Sequence, residues 1–254
     1  MGGFFFFPAH ATVAAYSRSR PGGGIGIHAR FRTWCSQERG GSSPLLGTTI
    51  ANNTSNNLES ILIGISGGSG AGKSTLCTAL QDKYPDQIGL VQLDDYFKPS
   101  AEAPTHEGYS NKEHPDALYF DKFNEDLEKL SQGNSVVINT KNERLNPEFK
   151  VTKKRIPVEV RAKPIMLVEG FLVLFDERVR KLFHTSIWLD VDHETRWERR
   201  VHFKNSEYEK KVLIPMHKKF AEPTKQFAAH VIDVSRLTRE QVLAEAENII
   251  GLKK

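Results

Sequence analysis

Nine residues from Gly67 to Thr75 have the types and spacing of a loop that binds phosphate groups. Glycine loses the most backbone freedom on folding, so a dense cluster of glycines indicates that a ligand must approach the main chain closely. The motif is G-x-x-x-x-G-K-[ST], which directs main-chain amides, a lysine and a hydroxyl at phosphate oxygens and Mg²⁺. The predicted ligand-binding residues are Gly67, Gly68, Ser69, Gly70, Ala71, Gly72, Lys73, Ser74 and Thr75.

The segments on either side of this loop have the patterns of a strand and a helix. Ile61 to Ile65 is a short, β-branched apolar run, which is typical of a buried strand. The residues after Lys73 have helical character, and the positive end of such a helix favours bound anions. A flexible loop without a ligand is the alternative, but the complete motif between a strand and a helix favours a nucleoside triphosphate.

Two further apolar runs end in acidic residues. GLVQL is followed by Asp94 and Asp95, and Ile165 to Val168 is followed by Glu169. Because ligands of open α/β sheets lie beyond the carboxyl ends of the strands, these carboxylates are predicted near the phosphates. Asp94 is a candidate to accept a proton from a substrate hydroxyl or to hold Mg²⁺, and Glu169 to complete the Mg²⁺ site opposite Ser74. The alternatives are that Asp94 or Asp95 caps a turn and that Glu169 faces solvent.

Arg196, Arg199 and Arg200 are spaced so that they share one face of a predicted helix. Three guanidinium groups on one face repel one another unless anions are nearby, so the set suits a transferring phosphoryl group. The alternative is a solvated helix face on which Glu194 and Glu198 pair with the arginines. The sequence of this helix by itself favours neither interpretation.

Six ordered motifs between Ile61 and Leu252 resemble the uridine kinase, nicotinamide riboside kinase and phosphoribulokinase family. They are GISGGSGAGKST, LDDYFKP, HPDA, LVEGFLVLFDERVRKLF, DVDHETRWERR and PMHKKFAEPTKQFA. The resemblance implies an α/β P-loop fold, with a parallel five-stranded sheet flanked by helices and a mobile helical lid. It also implies a kinase that uses ATP and Mg²⁺ to phosphorylate a ribose 5′-hydroxyl.

Several residues match the positions of the family's functional groups. By this resemblance, Asp94 activates the acceptor hydroxyl and Lys73 contacts the phosphates. The Mg²⁺ ligands that it implies are Ser74, Glu169 and Asp94. The lid arginines that it implies are Arg200, together with Arg196 and Arg199. At these positions the roles suggested by the residue types agree with the roles implied by the resemblance.

The substrate side departs from the family pattern. Uridine kinases carry an aromatic-Asp pair before HPDA, where this chain has Lys112 and Glu113. Glu113 keeps a carboxylate for the ribose, whereas Lys112 cannot stack on a base as an aromatic ring would. The Tyr-Asp-Phe segment and the histidine that read the pyrimidine in uridine kinases have no counterpart in residues 138–156. Tyr208 is a candidate to stack on a base, with a plain surface tyrosine as the alternative.

These features predict a kinase that phosphorylates the 5′-hydroxyl of a ribonucleoside, as uridine and cytidine kinases do. A kinase of nicotinamide riboside, another ribosyl compound or a sugar phosphate is the first alternative. A nucleotide-dependent switch or ATPase is disfavoured, because the predicted core is followed by no coiled coil or basic stripe for a macromolecular partner. A family member that binds without catalysis is kept open by Lys112-Glu113, although the loop, Asp94 and Glu169 supply the groups that transfer needs.

The chain has 254 residues, and residues 1–58 differ in kind from residues 59–254. The first segment lacks hydrophobic periodicity and predicts a disordered extension, either dispensable or an organellar targeting segment. The second predicts the P-loop kinase domain. The net charge of +4 comes from five arginines and one glutamate in residues 1–58. The remaining basic and acidic residues balance, which disfavours nucleic acid as a partner.

The rest of the composition fits a protein that works on a small-molecule nucleoside. No apolar run is long enough to span a membrane, so no membrane partner is predicted. Cys35 and Cys77 form neither a disulfide framework nor a metal motif, which favours a reducing compartment and hence the cytoplasm. Members of the family are often homo-oligomers, and the sequence leaves the oligomeric state of this chain open.

Overall fold

The structure, a computed structural model, describes residues 59–199 and 205–252. The predicted extension 1–58 and Arg200 lie outside these residues and stay predictions. The strands are β1 (Ile61–Ser66), β2 (Ile88–Gln92), β3 (Thr105–His106), β4 (Tyr109–Ser110), β5 (Val136–Thr140), β6 (Ile156–Val160), β7 (Ile165–Glu169), β8 (Phe183–Asp190) and β9 (His230–Asp233). Five of them form one sheet in the order β2-β7-β1-β8-β9, and every neighbouring pair is parallel. This is the sheet that the resemblance implies.

Helices connect the strands of this sheet. The α-helices are α1 (Lys73–Lys83), α2 (Phe120–Ser131), α3 (Phe149–Thr152), α4 (Glu177–Leu182), α5 (His193–Arg199), α6 (Ser206–Tyr208), α7 (Ile214–Met216) and α8 (Arg239–Ile250). Helical segment 206–227 also contains two π-helical stretches, Glu209–Leu213 and His217–Ala221, and ends in the 3₁₀-helix Glu222–Phe227. Within the described part of the chain, no helix combines the length and apolar character needed to cross a bilayer.

Two apolar clusters cover the two faces of the sheet. Successive side chains of a strand point to opposite faces, so Leu62 packs in one cluster and Ile63 in the other. Helices α2 and α4 cover the Leu62 face with residues such as Phe123 and Val179, and α1 and α8 cover the opposite face with residues such as Leu80. Burial on both faces explains why the strand sequences are apolar runs rather than alternating patterns.

The carboxyl ends of β1, β2 and β7 meet at one edge and position the candidate site. β2 ends at Gln92, and Asp94 and Asp95 lie beyond it in the 3₁₀-helix Leu93–Tyr96, rather than at the strand end as the sequence predicts. An antiparallel hairpin of β5 and β6 stands apart from the main sheet and contacts this 3₁₀-helix. The connection between β5 and β6 also contacts α1, because Nη1 of Arg144 lies 2.7 Å from Oδ1 of Asp82.

Candidate active site

The glycine-rich loop connects β1 to α1 as the motif predicts. Gly67, Gly70 and Gly72 have φ angles of 138°, 89° and 95°. Residues other than glycine rarely adopt positive φ angles in this region. At Gly68 a Cβ atom would lie 1.9 Å from Nη1 of Arg196, so the side chain of Arg196 would have to move. The loop is thus shaped by its own backbone and by close packing against α5.

Lys73 lies at the start of α1 and is buried in the loop. Its Nζ donates a hydrogen bond to the carbonyl of Gly68 at 3.1 Å and lies 4.0 Å from Oε1 of Glu169. The ammonium group is therefore held between the loop's main chain and a strand-end acid. A cradle without side chains, with a buried cation inside it, fits the phosphate groups of a nucleotide.

Glu169 ends β7 and is only 6% exposed. It is in register with Gln92 of β2, whose Nε2 donates a hydrogen bond to Oε2 at 3.0 Å, and the Ser74 hydroxyl donates another. Burial raises the pKa of Glu169 above its ordinary value, while Lys73 and these two hydrogen bonds oppose the rise. A carboxylate beside a hydroxyl is a set of hard oxygen donors that fits Mg²⁺.

The adjacent residues Asp94 and Asp95 have different environments. The side chain of Asp94 is 40% exposed, and its Oδ2 accepts a hydrogen bond from Nζ of Lys141 at 2.7 Å. Asp95 is half-buried, and it accepts hydrogen bonds from Oγ1 of Thr140 at 2.7 Å and from the main-chain amide of Lys141 at 2.8 Å. Burial raises the pKa of Asp95, although these hydrogen bonds lower it in part. Asp95 thus binds the end of β5, a distant segment of the chain, whereas Asp94 lines the cavity.

Arg196 and Arg199 lie on α5 in different surroundings. Arg196 is 6% exposed and packs on the loop, because Cβ atoms at Gly68 and Gly70 would overlap its guanidinium and its main-chain oxygen. Arg199 is exposed, and its Nη2 lies 3.4 Å from the carbonyl of Val234. The structure thus brings Arg196 to the phosphate-binding loop and directs Arg199 toward the residue that follows β9.

A cavity of about 1180 Å³ extends from the loop to α8. Asp94, Glu169 and Arg199 line it together with residues 69–76, so most of the predicted site residues meet here. Its other end is lined by the β9–α8 connection and α8, with the apolar Val234, Leu237, Val242 and Leu243 and the charged Arg239 and Glu240. A glycine cradle at one end and a mainly apolar lining at the other fit the phosphates and the base of a nucleotide.

Glu113 and Tyr208, which the sequence suggests for the substrate, do not line this cavity. The main-chain amide of Glu113 donates a hydrogen bond to Oδ1 of Asn111 at 3.2 Å. The ring of Tyr208 contacts that of Tyr109 edge to face, with centroids 5.7 Å apart. Tyr208 thereby joins helical segment 206–227 to β4, and the substrate roles of both residues stay predictions.

Four residues near the site have no role in the sequence interpretation. They are Gln92, Lys141, Asn142 and His217. Gln92 could have been identified from the sequence, because it follows an apolar run just before Asp94. The ends of such strands are expected at the same edge of the sheet as Glu169. Lys141 and Asn142 lie on a hairpin that is distant in sequence, and His217 lies in a π-helical stretch. None of these three residues carries a local sequence signal of a site.

His217 is held uncharged by its surroundings. Its ring lies against that of Trp188, with centroids 6.5 Å apart. Burial lowers its pKa to about 3, and the charges of Arg196, Lys73 and His193 act in the same direction. His217 therefore lies near Lys73 of the phosphate-binding loop and near Arg196, which packs on that loop.

Replacing His217 by glutamine is expected to make folding stability less sensitive to acid. The unfolded chain takes up a proton at this histidine below about pH 6.5, whereas the folded chain resists protonation until about pH 3. Stability is therefore lost as the pH falls between these values, by at most about 1.4 kcal/mol per pH unit. Urea unfolding at pH 7, 6 and 5 measures the difference, with the exposed His230→Gln as a control. Parallel pH curves for H217Q and the native chain would contradict the expectation.

The fold and the site together define a P-loop kinase. The chain belongs to the Phosphoribulokinase / Uridine kinase family, whose model matches residues 62–207. A uridine kinase of Clostridium novyi is 33% identical over 187 residues, which cover 69% of this chain and 88% of the relative. A uridine kinase of Streptococcus gordonii is 30% identical over 210 residues, covering 74% and 98%. The structure of a possible uridine kinase from Bacillus stearothermophilus is 18% identical with a TM-score of 0.49, covering 69% and 90%.

These comparisons confirm the predicted family, the α/β P-loop fold and the prediction of an ATP-dependent kinase. Kinases of this family in general use ATP and Mg²⁺. The roles of the individual residues rest on the geometry of the site rather than on the comparisons.

Proposed function

We propose that this chain uses ATP and Mg²⁺ to phosphorylate the 5′-hydroxyl of a ribonucleoside. The observation that carries the proposal is that Lys73, Glu169 and Asp94 converge at one cavity beside a glycine-rich loop. Relatives at 33% and 30% identity that are named uridine kinase support a nucleoside as the acceptor. This combination supports phosphoryl transfer more directly than it supports a nucleotide-dependent switch.

The loop and its lysine bind the nucleotide in this proposal. Main-chain amides between Gly67 and Ser74 hold the phosphates, and Lys73 contacts the outer ones. Ser74 and Glu169 hold Mg²⁺, which neutralises charge on the phosphates when bound. Arg196 packs on the same loop and adds positive charge beside it. Positioning and charge stabilisation supply most of the rate in reactions of this class.

Asp94 is the proposed general base. Its carboxylate takes the proton of the acceptor hydroxyl as that oxygen bonds to the γ-phosphorus, and the bond from this phosphorus to the β–γ bridging oxygen breaks. The products are the phosphorylated acceptor and ADP. Because Asp94 lines the cavity that Lys73 also lines, one carboxylate oxygen is able to face a phosphate held by the loop.

An acceptor that already carries an anionic group is the second candidate. The observation that favours it is the positive charge beside Asp94, since Lys141 contacts its carboxylate and Arg155 contacts its main-chain carbonyl. These cations occupy the region in which uridine kinases carry their pyrimidine-reading residues. A sugar phosphate has the complementary charge.

A panel assay tests the proposed function. Purified protein with ATP and Mg²⁺ is offered uridine, cytidine, nicotinamide riboside and several pentose phosphates, and the phosphorylated products are separated from ADP. We expect a nucleoside 5′-monophosphate as the main product. Preferential phosphorylation of a pentose phosphate would favour the second candidate, and ATP consumption that needs no acceptor would favour a switch or ATPase.

The setting of this reaction also stays a prediction. We infer a cytoplasmic enzyme with a small-molecule substrate and without nucleic acid or membrane partners, from the composition of the chain. Self-association is expected from the family resemblance. Sedimentation of the purified protein tests it directly.

A further inference from the structure

The β5–β6 hairpin delivers a lysine to the candidate base. Nζ of Lys141 donates a hydrogen bond to Oδ2 of Asp94 at 2.7 Å, across 47 residues of sequence. We propose that Lys141 is a positioning residue that fixes the Asp94 carboxylate for attack by the acceptor hydroxyl. This inference rests on the proposed role of Asp94 as the general base.

The half-buried Asp95 holds the main chain at Lys141, and Arg155 joins the start of β6 to the same 3₁₀-helix. Asp95 accepts hydrogen bonds from the Lys141 amide and from the hydroxyl of Thr140, so both of its oxygens bind the end of β5. Arg155, just before β6, donates to the main-chain carbonyls of Asp94 at 2.9 Å and Asp95 at 2.5 Å. The end of β5 and the residue before β6 are therefore both attached to the 3₁₀-helix that carries Asp94.

The same end of the hairpin also reaches the second acid of the site. Nδ2 of Asn142 donates a hydrogen bond to Oε1 of Gln92 at 2.7 Å, and Gln92 donates to Glu169 at 3.0 Å. Consecutive hairpin residues thus contact Asp94 directly and Glu169 through one amide. A connection to both acids is expected of an element that sets the geometry of the site rather than one that only covers it.

A lysine in this position leaves the carboxylate able to act. It occupies Oδ2 and leaves Oδ1 for the acceptor hydroxyl, while restricting rotation of the carboxylate. Two more charged groups lie near this acid, since the guanidinium of Arg155 contacts its main-chain carbonyl and the carboxylate of Glu169 lines the same cavity. The contact is partly exposed, with side chains 34% and 40% accessible, so its contribution to stability is small. The Lys141–Asp94 contact instead serves to hold the carboxylate of the base in the orientation needed for the reaction.

Steady-state kinetics of Lys141→Met and Lys141→Arg test the proposal, with the acceptor that the panel assay identifies. We expect K141M to lower kcat on the order of 10-fold, as loss of a group that orients a catalytic side chain does, while the KM values for ATP and acceptor stay near native. K141R keeps the cation and is expected to recover most of the lost kcat. Lys154→Met, an exposed lysine of the same connection, is the matched control and is expected to leave kcat unchanged.

Two outcomes would overturn the proposal. A native kcat in K141M would show that the contact does not position the base. A raised KM for the acceptor with unchanged kcat would instead make Lys141 a substrate-binding residue. Thermal unfolding of each variant separates either result from misfolding, because removal of a partly exposed ion pair changes stability by only about 1 kcal/mol. If a pentose phosphate were the best acceptor, only the proposal of a nucleoside acceptor would be refuted. The same Lys141 variants would then be assayed with the pentose phosphate.

Discussion

Substitution of Asp94 by asparagine is expected to lower kcat about 10²–10⁴-fold, the range for loss of a general base. Asparagine keeps the size and hydrogen-bonding reach of the side chain, but its amide cannot take the proton of the acceptor hydroxyl. Asp94 lines the cavity and is half exposed, so the substitution leaves no unpaired buried charge. The loop and Lys73 are unchanged, and ATP affinity in the absence of acceptor is therefore expected to stay near native.

Three measurements separate a chemical role of Asp94 from a structural one. Single-turnover phosphoryl transfer reports the chemical step, and calorimetry reports ATP binding. A Mg²⁺ titration of ATP binding tests whether Asp94 also holds the metal ion through water, since D94N would then need more Mg²⁺. The exposed Asp86→Asn is the matched control, with the same loss of one charge far from the loop. Native turnover in D94N would remove Asp94 from the mechanism.

Substitution of Gly70 by alanine is expected to weaken ATP binding by about 100-fold or more, which corresponds to about 2.7 kcal/mol. Gly70 has a φ of 89°, where a side chain costs about 1–2 kcal/mol. The added Cβ would also lie 2.4 Å from the main-chain oxygen of Arg196, and a helix backbone cannot yield as a flexible side chain does. The loop must therefore move, and its amides lose their common direction toward the phosphates.

Calorimetry of ATP with Mg²⁺ measures this effect. Gly251→Ala is the control, because Gly251 has a φ of 79° but nothing lies within 4 Å of its added Cβ. It carries the backbone strain without the overlap, at the end of α8, and is expected to lower stability while ATP affinity stays native. If G70A bound ATP as tightly as the native chain, the glycine loop would not be the phosphate cradle.

Much of the fold follows from local patterns in the sequence. The G-x-x-x-x-G-K-S spacing lies between a strand and a helix because an anion cradle needs a helix start immediately after a strand, and β1 and α1 occupy those positions. Apolar runs without alternation predicted buried strands, and the parallel strands β2, β7, β1, β8 and β9 are covered on both faces. Glu169 could be assigned to the site edge because the carboxyl ends of parallel strands meet at one edge.

Other features depend on contacts between distant residues, and no periodicity encodes those. Asp94 and Asp95 are adjacent and chemically identical, yet one lines the cavity and the other holds the hairpin, because Lys141 and Thr140 approach from 45 to 47 residues away. Arg196 and Arg199 share a spacing that predicts one helical face. The loop buries the first beneath Gly68, whereas the second remains exposed.

By itself the sequence predicted the class of ligand and the acids beyond the strand ends, since these predictions depend on residue types at fixed short spacings, and the family resemblance implied the five-stranded sheet. Only the tertiary structure decided which aspartate lines the cavity, which lysine contacts it and which arginine packs on the loop. The physical reason is that hydrogen bonds and close packing depend on distances in space. Residues that are distant in sequence come within these distances only when the whole domain is folded.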